Sequence, residues 1–139
     1  MEWERCANIS LSEQGLPKRT ASPRRVLVVD DNMDVATSLA ILLRRWDYDV
    51  QVAYDGWRAV EMARDYRPEV VLLDIGLPGL DGYEVAKRLR QEPWSDEIVL
   101  LAMTGSSFDP RRSMEAGFDC SLLKPIRPDV LRNLLALRH

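Results

Sequence analysis

Asp30, Asp31, Asp74, Thr104 and Lys124 are the residues in this sequence whose types and settings suit chemistry. Each stands directly after a short apolar run: residues 26–29 lead into the acidic pair, 70–73 into Asp74, 98–103 into Thr104, and 120–123 into Lys124. Three carboxylates gathered in a small volume repel one another and raise each other's proton affinity unless a cation joins them. A hard divalent ion is therefore implied, and Mg2+ suits best because it takes one or two carboxylates together with waters and phosphate oxygens. Lys124 offers a compact positive charge and Thr104 a hydroxyl donor, and both match phosphoryl oxygens better than they match a metal. Phosphoryl transfer rests on positioning and charge neutralisation, with Asp74 as the nucleophile that would form an aspartyl phosphate. Taken singly, each residue has a plainer reading. Asp74 could cap a turn, Asp30 and Asp31 a helix, Thr104 could be a turn residue and Lys124 a solvated strand end. Their coincidence at four strand ends outweighs those readings.

The elements that must bring these positions together are legible as a repeating pattern. Val70-Val71-Leu72-Leu73 has no polar alternation, so it reads as a strand covered on both faces, the habit of parallel sheets. From Arg25 onward, apolar runs at 26–29, 50–53, 70–73, 98–103 and 120–123 alternate with amphipathic stretches, as in strand-helix units. Val35, Leu39, Leu42, Leu43 and Trp46 fall on one face of a first helix. Asp55-Gly56 starts a second with Val60 and Ala63 inward, which stops ahead of Pro68. Asp81 caps a third carrying Val85, Ala86 and Leu89, and Pro93 terminates it. Asp109-Pro110 and Gly117 bracket a short fourth, and Val130, Leu131, Leu134 and Leu135 stripe a fifth. The expected fold is α/β, a flavodoxin-like doubly wound (βα)5 with a five-stranded parallel sheet in the order 2-1-3-4-5. In such a sheet the carboxyl ends of all strands share one edge, so the chemical residues converge there.

The totals narrow the class further. A chain of 139 residues suits one domain, and 46% hydrophobic with 29% charged residues is the balance of an ordinary globular protein. Residues 1–25 carry five basic and three acidic side chains against a net charge of -3, leaving the remainder near -5. That sign argues against direct nucleic-acid contact, which needs clustered Lys and Arg. No apolar run approaches the roughly 20 residues needed to span a bilayer, and the N-terminus lacks a signal-peptide core, so no membrane partner is expected. Cys6 and Cys120 sit in unrelated contexts, which suggests free thiols in a reducing, cytoplasmic setting. Residues 1–24 read as a flexible tail or linker, with Trp3, Ile9, Leu11 and Leu16 available to dock, and 25–139 as the globular unit.

Over about residues 24 to 138 the sequence resembles the receiver domain of two-component response regulators, of the kind used in chemotaxis. The resemblance is carried by Val28-Val29-Asp30-Asp31-Asn32, by the stretch from Leu72 through Asp74-Ile75-Gly76-Leu77-Pro78-Gly79-Leu80-Asp81 to Gly82, by Met103-Thr104-Gly105, by Glu115-Ala116-Gly117-Phe118-Asp119, and by Leu123-Lys124-Pro125. It implies that Asp74 accepts phosphate from a histidine kinase or histidine phosphotransfer protein with Mg2+. Asp31 would bind the metal directly, Asp30 largely through water, and the Gly76 carbonyl would join Asp74 in completing the protein ligands. Thr104 and Lys124 would contact the phosphoryl group, and Lys124-Pro125 would be cis. The domain would be a signalling phosphoacceptor rather than an enzyme, assisting only its own phosphorylation and dephosphorylation. Phosphate would draw Thr104 inward and switch the surface around the fourth helix, fifth strand and fifth helix for an output partner of unknown identity, with a second copy of the chain as one candidate.

Some positions depart from the family's habit. Ser121, three positions before Lys124, lacks the ring whose swing usually accompanies activation, and the interval from Thr104 to Lys124 is short, implying a trimmed loop or fourth helix. Gly76 and Ser106 are small, which predicts easy water access and a short-lived phosphoryl group. His139, at the end, is the only histidine, so the phosphodonor is expected to be a separate molecule or segment. The sequence closes after its fifth helix, so output is expected to run through another protein or a fused region.

Rival chemistries fit less well. A dehalogenase-type phosphatase wants a second Asp two positions after the nucleophile, where Gly76 stands. A flavodoxin-like cofactor binder needs phosphate-cradling amides in its first loop, where Asp30 and Asp31 would repel the ligand. An unphosphorylated receiver-like interaction module is the remaining alternative, and the complete acidic pair with Asp74, Thr104 and Lys124 argues against it.

Overall fold

Successive residues of the central strands feed two different helical layers, which is why those strands are apolar throughout. The computed structural model describes residues 24–105 and 109–137. Its elements run β1 (Arg25–Val29), α1 (Met33–Arg45), β2 (Asp49–Ala53), α2 (Gly56–Tyr66), β3 (Val70–Asp74), α3 (Gly82–Arg90), β4 (Val99–Thr104), α4 (Pro110–Ala116), β5 (Cys120–Leu123) and α5 (Pro128–Leu137). The strands pair in parallel in the order β2-β1-β3-β4-β5, as the alternating pattern predicts. Val26, Val28, Val70 and Leu72 pack with α1 and α5, while Leu27, Val29, Val71 and Leu73 pack with α2, α3 and α4. Complete burial of a Val or Leu side chain stabilises by about 1.5–3 kcal/mol, so both layers are anchored on β1 and β3.

Local chemistry sets where each helix begins. Asp55, Asp81 and Asp109 cap α2, α3 and α4, their carboxylates accepting from the backbone N–H of Arg58, Glu84 and Arg112. Gly117 ends α4 in the left-handed region with φ of 101°. The peptide bond between Lys124 and Pro125 is cis.

Several details differ from the sequence reading. α1 buries Ala36 and Ala40 beside Leu39 and Leu43, while Leu42 is only half-buried and Trp46 serves as the C-cap. Small residues let the helix lie close to the sheet, so the seam is set by alanines that a search for large side chains overlooks. Ile98 is buried but precedes β4, following a 3-10 turn at Ser95–Glu97. Cys120 is disulfide-bonded rather than a free thiol. Cys6, the tail residues 1–23, Ser106 and His139 lie outside the described residues.

Two glycines fix how the layers meet the sheet edge. A Cβ on Gly82 would fall 2.4 Å from the Ile75 Cα and 2.5 Å from the Asp74 carbonyl oxygen. A Cβ on Gly56 would fall 2.4 Å from the Leu80 carbonyl oxygen. Both obstacles are backbone, which cannot step aside as a side chain can. Gly82→Ala is therefore expected to lower stability by about 1–3 kcal/mol, the usual penalty of overpacking, read as a fall in the urea midpoint with an unchanged slope.

Candidate functional site

The candidate site occupies the sheet edge where β1, β3, β4 and β5 end. Asp30, immediately after β1, is fully buried and Asp74, the last residue of β3, is 7% exposed. The Asp30 N–H donates to the Ala53 carbonyl at 3.2 Å, and its Oδ1 accepts from the Asn32 N–H at 2.9 Å. The Gly76 N–H donates to Asp74 Oδ1 at 2.9 Å. Each carboxylate thus has one oxygen fixed by the backbone of the following turn. The other oxygens face the same cation. Lys124 Nζ lies 3.1 Å from Asp30 Oδ2 and 3.3 Å from Asp74 Oδ2.

Asp31 completes the acidic group. Asp30, Asp31 and Asp74 each present a carboxylate oxygen, all within 4.8 Å of one another, with Asp31 exposed and the other two buried. An all-oxygen set with one solvent-facing member fits a hard cation that retains water, the preference of Mg2+. Thr104 is buried at the end of β4, one step beyond the Met103 that pairs with Asp74, and its carbonyl accepts from the Lys124 N–H at 2.7 Å. The residues expected from sequence at Asp30, Asp31, Asp74, Gly76, Thr104 and Lys124 therefore share one edge.

Sequence reasoning placed Asp81 correctly as the cap of α3 but missed its pairing with Arg112, and it missed the part played by Asn32. Asn32, not Asp30 or Asp31, caps α1, its side chain accepting from the N–H of Asp34 and Val35, while its own amide orients Asp30. The strong capping tendency of Asn was the available signal. Asp81 caps α3 and also receives Arg112 at 3.4 Å. Ser121 is half-buried on β5 opposite Ala102.

Electrostatics follow from the geometry. Burial is the main influence on Asp30 and raises its proton affinity above the ordinary carboxylate range, with the charge of Asp74 adding to it and the Asn32 amide and Lys124 opposing it. For Lys124, burial alone would depress the ammonium, but the hydrogen bonds and charges of Asp30 and Asp74 outweigh it and leave the group above its ordinary 10.5.

The strand order and the acidic edge with its single lysine define a receiver fold. A family model described as the response regulator receiver domain matches residues 26–136, and the chain belongs to that family. It is 39% identical over 105 residues to the alkaline phosphatase synthesis transcriptional regulatory protein PhoP of Bacillus subtilis, covering 76% of this chain and 44% of that protein. It is 38% identical over 108 residues to the DNA-binding response regulator MtrA of Mycobacterium tuberculosis, covering 78% of this chain and 47% of that protein. The chain spans about half the length of the curated relatives it matches. Among solved structures, the chemotaxis protein CheY4 of Vibrio cholerae superposes with a TM-score of 0.78 at 25% identity, over 83% of this chain and 98% of that one. The signal receiver domain of a modulated diguanylate cyclase from Desulfovibrio desulfuricans does so with a TM-score of 0.74 at 31% identity, over 84% of this chain and 94% of that one.

The raised Lys124 value carries a signed prediction. Stability contributed by a group whose native pKa is raised is fully present below the unfolded value and is lost as pH climbs through the native one. In Mg2+-free buffer Lys124→Met, which strands two buried carboxylates, should be less stable than the parent by about 2–3 kcal/mol at neutral pH. The gap should persist to about 10.5 and close above it, as measured by urea midpoints across the alkaline range.

Proposed function

We propose that Asp74 is the phosphoacceptor of this receiver domain, taking its phosphoryl group from a phosphohistidine of a histidine kinase or histidine phosphotransfer protein. The observation that carries the reading is the Lys124 ammonium set between Asp30 and Asp74, with the Asp31 oxygen in the same cluster. Lys124 offsets one of the three carboxylate charges, and a divalent ion would offset the other two. Asp31, Asp74 and the Gly76 carbonyl would hold Mg2+ directly and Asp30 through water. When bound there, the ion neutralises phosphoryl oxygens and orients the incoming group. An Asp74 carboxylate oxygen attacks phosphorus, the bond from phosphorus to the donor imidazole nitrogen breaks, and its electrons leave with the imidazole. Lys124 and Thr104 then meet phosphoryl oxygens with an ammonium and a hydroxyl. The chemistry is done to the domain itself, so it is a signalling phosphoacceptor and not a turnover enzyme.

Residues 25–139 form the receiver in this reading and 1–24 a tail or linker. Exposed Met114 on α4 and Leu123 on β5 support a role for the α4, β5 and α5 face in binding an output partner or a second copy of the chain. PhoP and MtrA are named for transcriptional control and DNA binding. Direct nucleic-acid contact is not proposed for residues 25–139, whose acidic balance disfavours it. A cytoplasmic setting is proposed from the need for a kinase, and no helix among the described residues is long and apolar enough to cross a membrane.

Incubation with Mg2+ and acetyl phosphate should add one phosphoryl group, read by intact mass. Asp74→Asn should add none while melting as a folded domain, and chelation of Mg2+ should abolish labelling of the parent. A parent that stays unlabelled would instead be the silent interaction module. Lifetime is a separate expectation. A Cβ on Gly76 would sit 3.5 Å from Asp74 Oδ1, an ordinary contact, so a larger side chain fits there and would exclude water. Gly76→Met should lengthen the half-life of the phosphorylated protein severalfold, and an unchanged half-life would refute water access as the limit.

A further inference from the structure

The two ends of α4 are held in unlike ways. At its C-terminal end, the Arg90 guanidinium donates to the Gly117 carbonyl at 3.0 Å, the Ser95 carbonyl at 2.8 Å and Asp119 Oδ2 at 2.9 Å. Asp119 also accepts from the Leu100 N–H at 2.9 Å, which ties the same network to the start of β4. A Cβ on Gly117 would fall 2.6 Å from the Arg90 Cγ, so the approach is as close as a glycine allows. Phe118, fully packed behind α4, meets Tyr83 of α3 edge-on at 6.2 Å. These are partly buried, charge-assisted bonds around an aromatic contact, and they make a firm attachment.

The N-terminal end depends on Arg112. Its guanidinium lies 4.2 Å from the Tyr83 ring centroid and 3.4 Å from Asp81 Oδ2, with the Arg112 side chain about half exposed. Both partners belong to the first turn of α3. That turn is pressed against the Asp74 and Ile75 backbone through Gly82 and cannot shift without disturbing the acceptor strand. α4's own cap, Asp109, follows Thr104 by five positions. The contact therefore combines a long, partly exposed ion pair with a stack on a buried ring, and it lies between the acceptor strand and the helix nearest the expected motion.

We propose that α4 is hinged at the Arg90 and Gly117 end and latched at the other by Arg112, and that the latch holds the domain in its unphosphorylated arrangement. The proposal rests on the reading of Asp74 as phosphoacceptor. The latch accompanies the arrangement in which Lys124 is tied to both Asp30 and Asp74. Drawing Thr104 toward a phosphoryl group moves the start of α4 past the fixed first turn of α3 and parts Arg112 from Asp81 and Tyr83. Ser121 supplies no ring to couple Thr104 to the surface, so this pairing across α3 and α4 performs the coupling in this chain. Arg112 is a positioning residue, since it touches no reacting atom.

A latch that opposes the activated state lowers apparent affinity for any ligand selecting that state, and removing it raises the affinity by the same factor. The full 139-residue chain is titrated with beryllium fluoride and Mg2+ by calorimetry, as parent, Arg112→Ala and Arg112→Lys. Arg112→Ala should bind the mimic about three- to tenfold more tightly, the span expected from one partly exposed ion pair and one cation-π contact from a half-exposed arginine. Arg112→Lys keeps a charge for Asp81 but not the flat guanidinium over the ring, so it should fall between the two. Damage to the fold would weaken binding, so tightening has no merely structural explanation. Equal or weaker binding by Arg112→Ala overturns the latch while leaving the phosphoacceptor intact. A parent that binds no mimic overturns the phosphoacceptor reading first and the latch with it.

Discussion

One ammonium held between two buried carboxylates is the interaction on which this molecule turns. A fully buried Asp such as Asp30 is expensive to keep ionised unless a countercharge reaches it. Lys124 supplies that charge from the far side of the sheet. β5, which leads into Lys124, pairs with β4, β4 with β3, and β3 with β1, so the side chain must reach across two strands to arrive at Asp30. Its unbranched stem and point charge suit that reach. The sheet order therefore becomes a requirement of the electrostatics: with β5 elsewhere, Asp30 and Asp74 would face each other without relief.

Stability and chemistry pull in opposite directions at this edge. The two core layers on β1 and β3 are dense and apolar, whereas the strand ends bury ionisable groups, and burial, with the charge of Asp74 adding to it, raises the proton affinity of Asp30. The backbone bears part of the load. The turn amides of Asn32 and Gly76 each fix one carboxylate oxygen. The remaining oxygens are left to Lys124 and to whatever cation or phosphoryl group arrives. Preorganisation of this kind is useful because the ligand oxygens need no rearrangement when charge is transferred.

Much of the fold was legible because its signals are local. Uninterrupted Val and Leu in residues 70–73 announced a strand buried on both faces. Asp55, Asp81 and Asp109 announced helix starts, and strand ends placed Asp30, Asp31, Asp74, Thr104 and Lys124 on one edge. What stayed hidden was settled by contact rather than by period. Ala36 and Ala40 form the α1 seam because of how closely the helix lies against the sheet. Asn32 outcompeted its acidic neighbours as the cap, so Asp30 was left for Lys124. The arginines were the least readable. Arg90 and Arg112 sit on amphipathic helices among other charged residues, and nothing in the spacing distinguishes a three-oxygen anchor or a ring-stacked contact from a solvated face. The disulfide state of Cys120 was equally invisible, since nothing around Cys120 in the sequence marks it as bonded.

The direction in which a signal can travel follows from where the two halves of the site are built. Asp30 follows β1 directly and Asp74 ends β3, strands that are each flanked by strands on both sides and packed by helices above and below. Those carboxylates are the part least able to move. Thr104 ends β4 and Lys124 follows β5, an edge strand of four residues that comes after the seven-residue α4. A phosphoryl group at Asp74, as proposed above, would therefore meet a rigid acidic half and a compliant hydroxyl and ammonium half, and displacement would pass to the compliant side. That side carries the exposed Met114 and Leu123. On the proposed reading, the same order that lets one lysine neutralise two carboxylates also makes α4 and β5 the surface on which a phosphoryl group at Asp74 would be read.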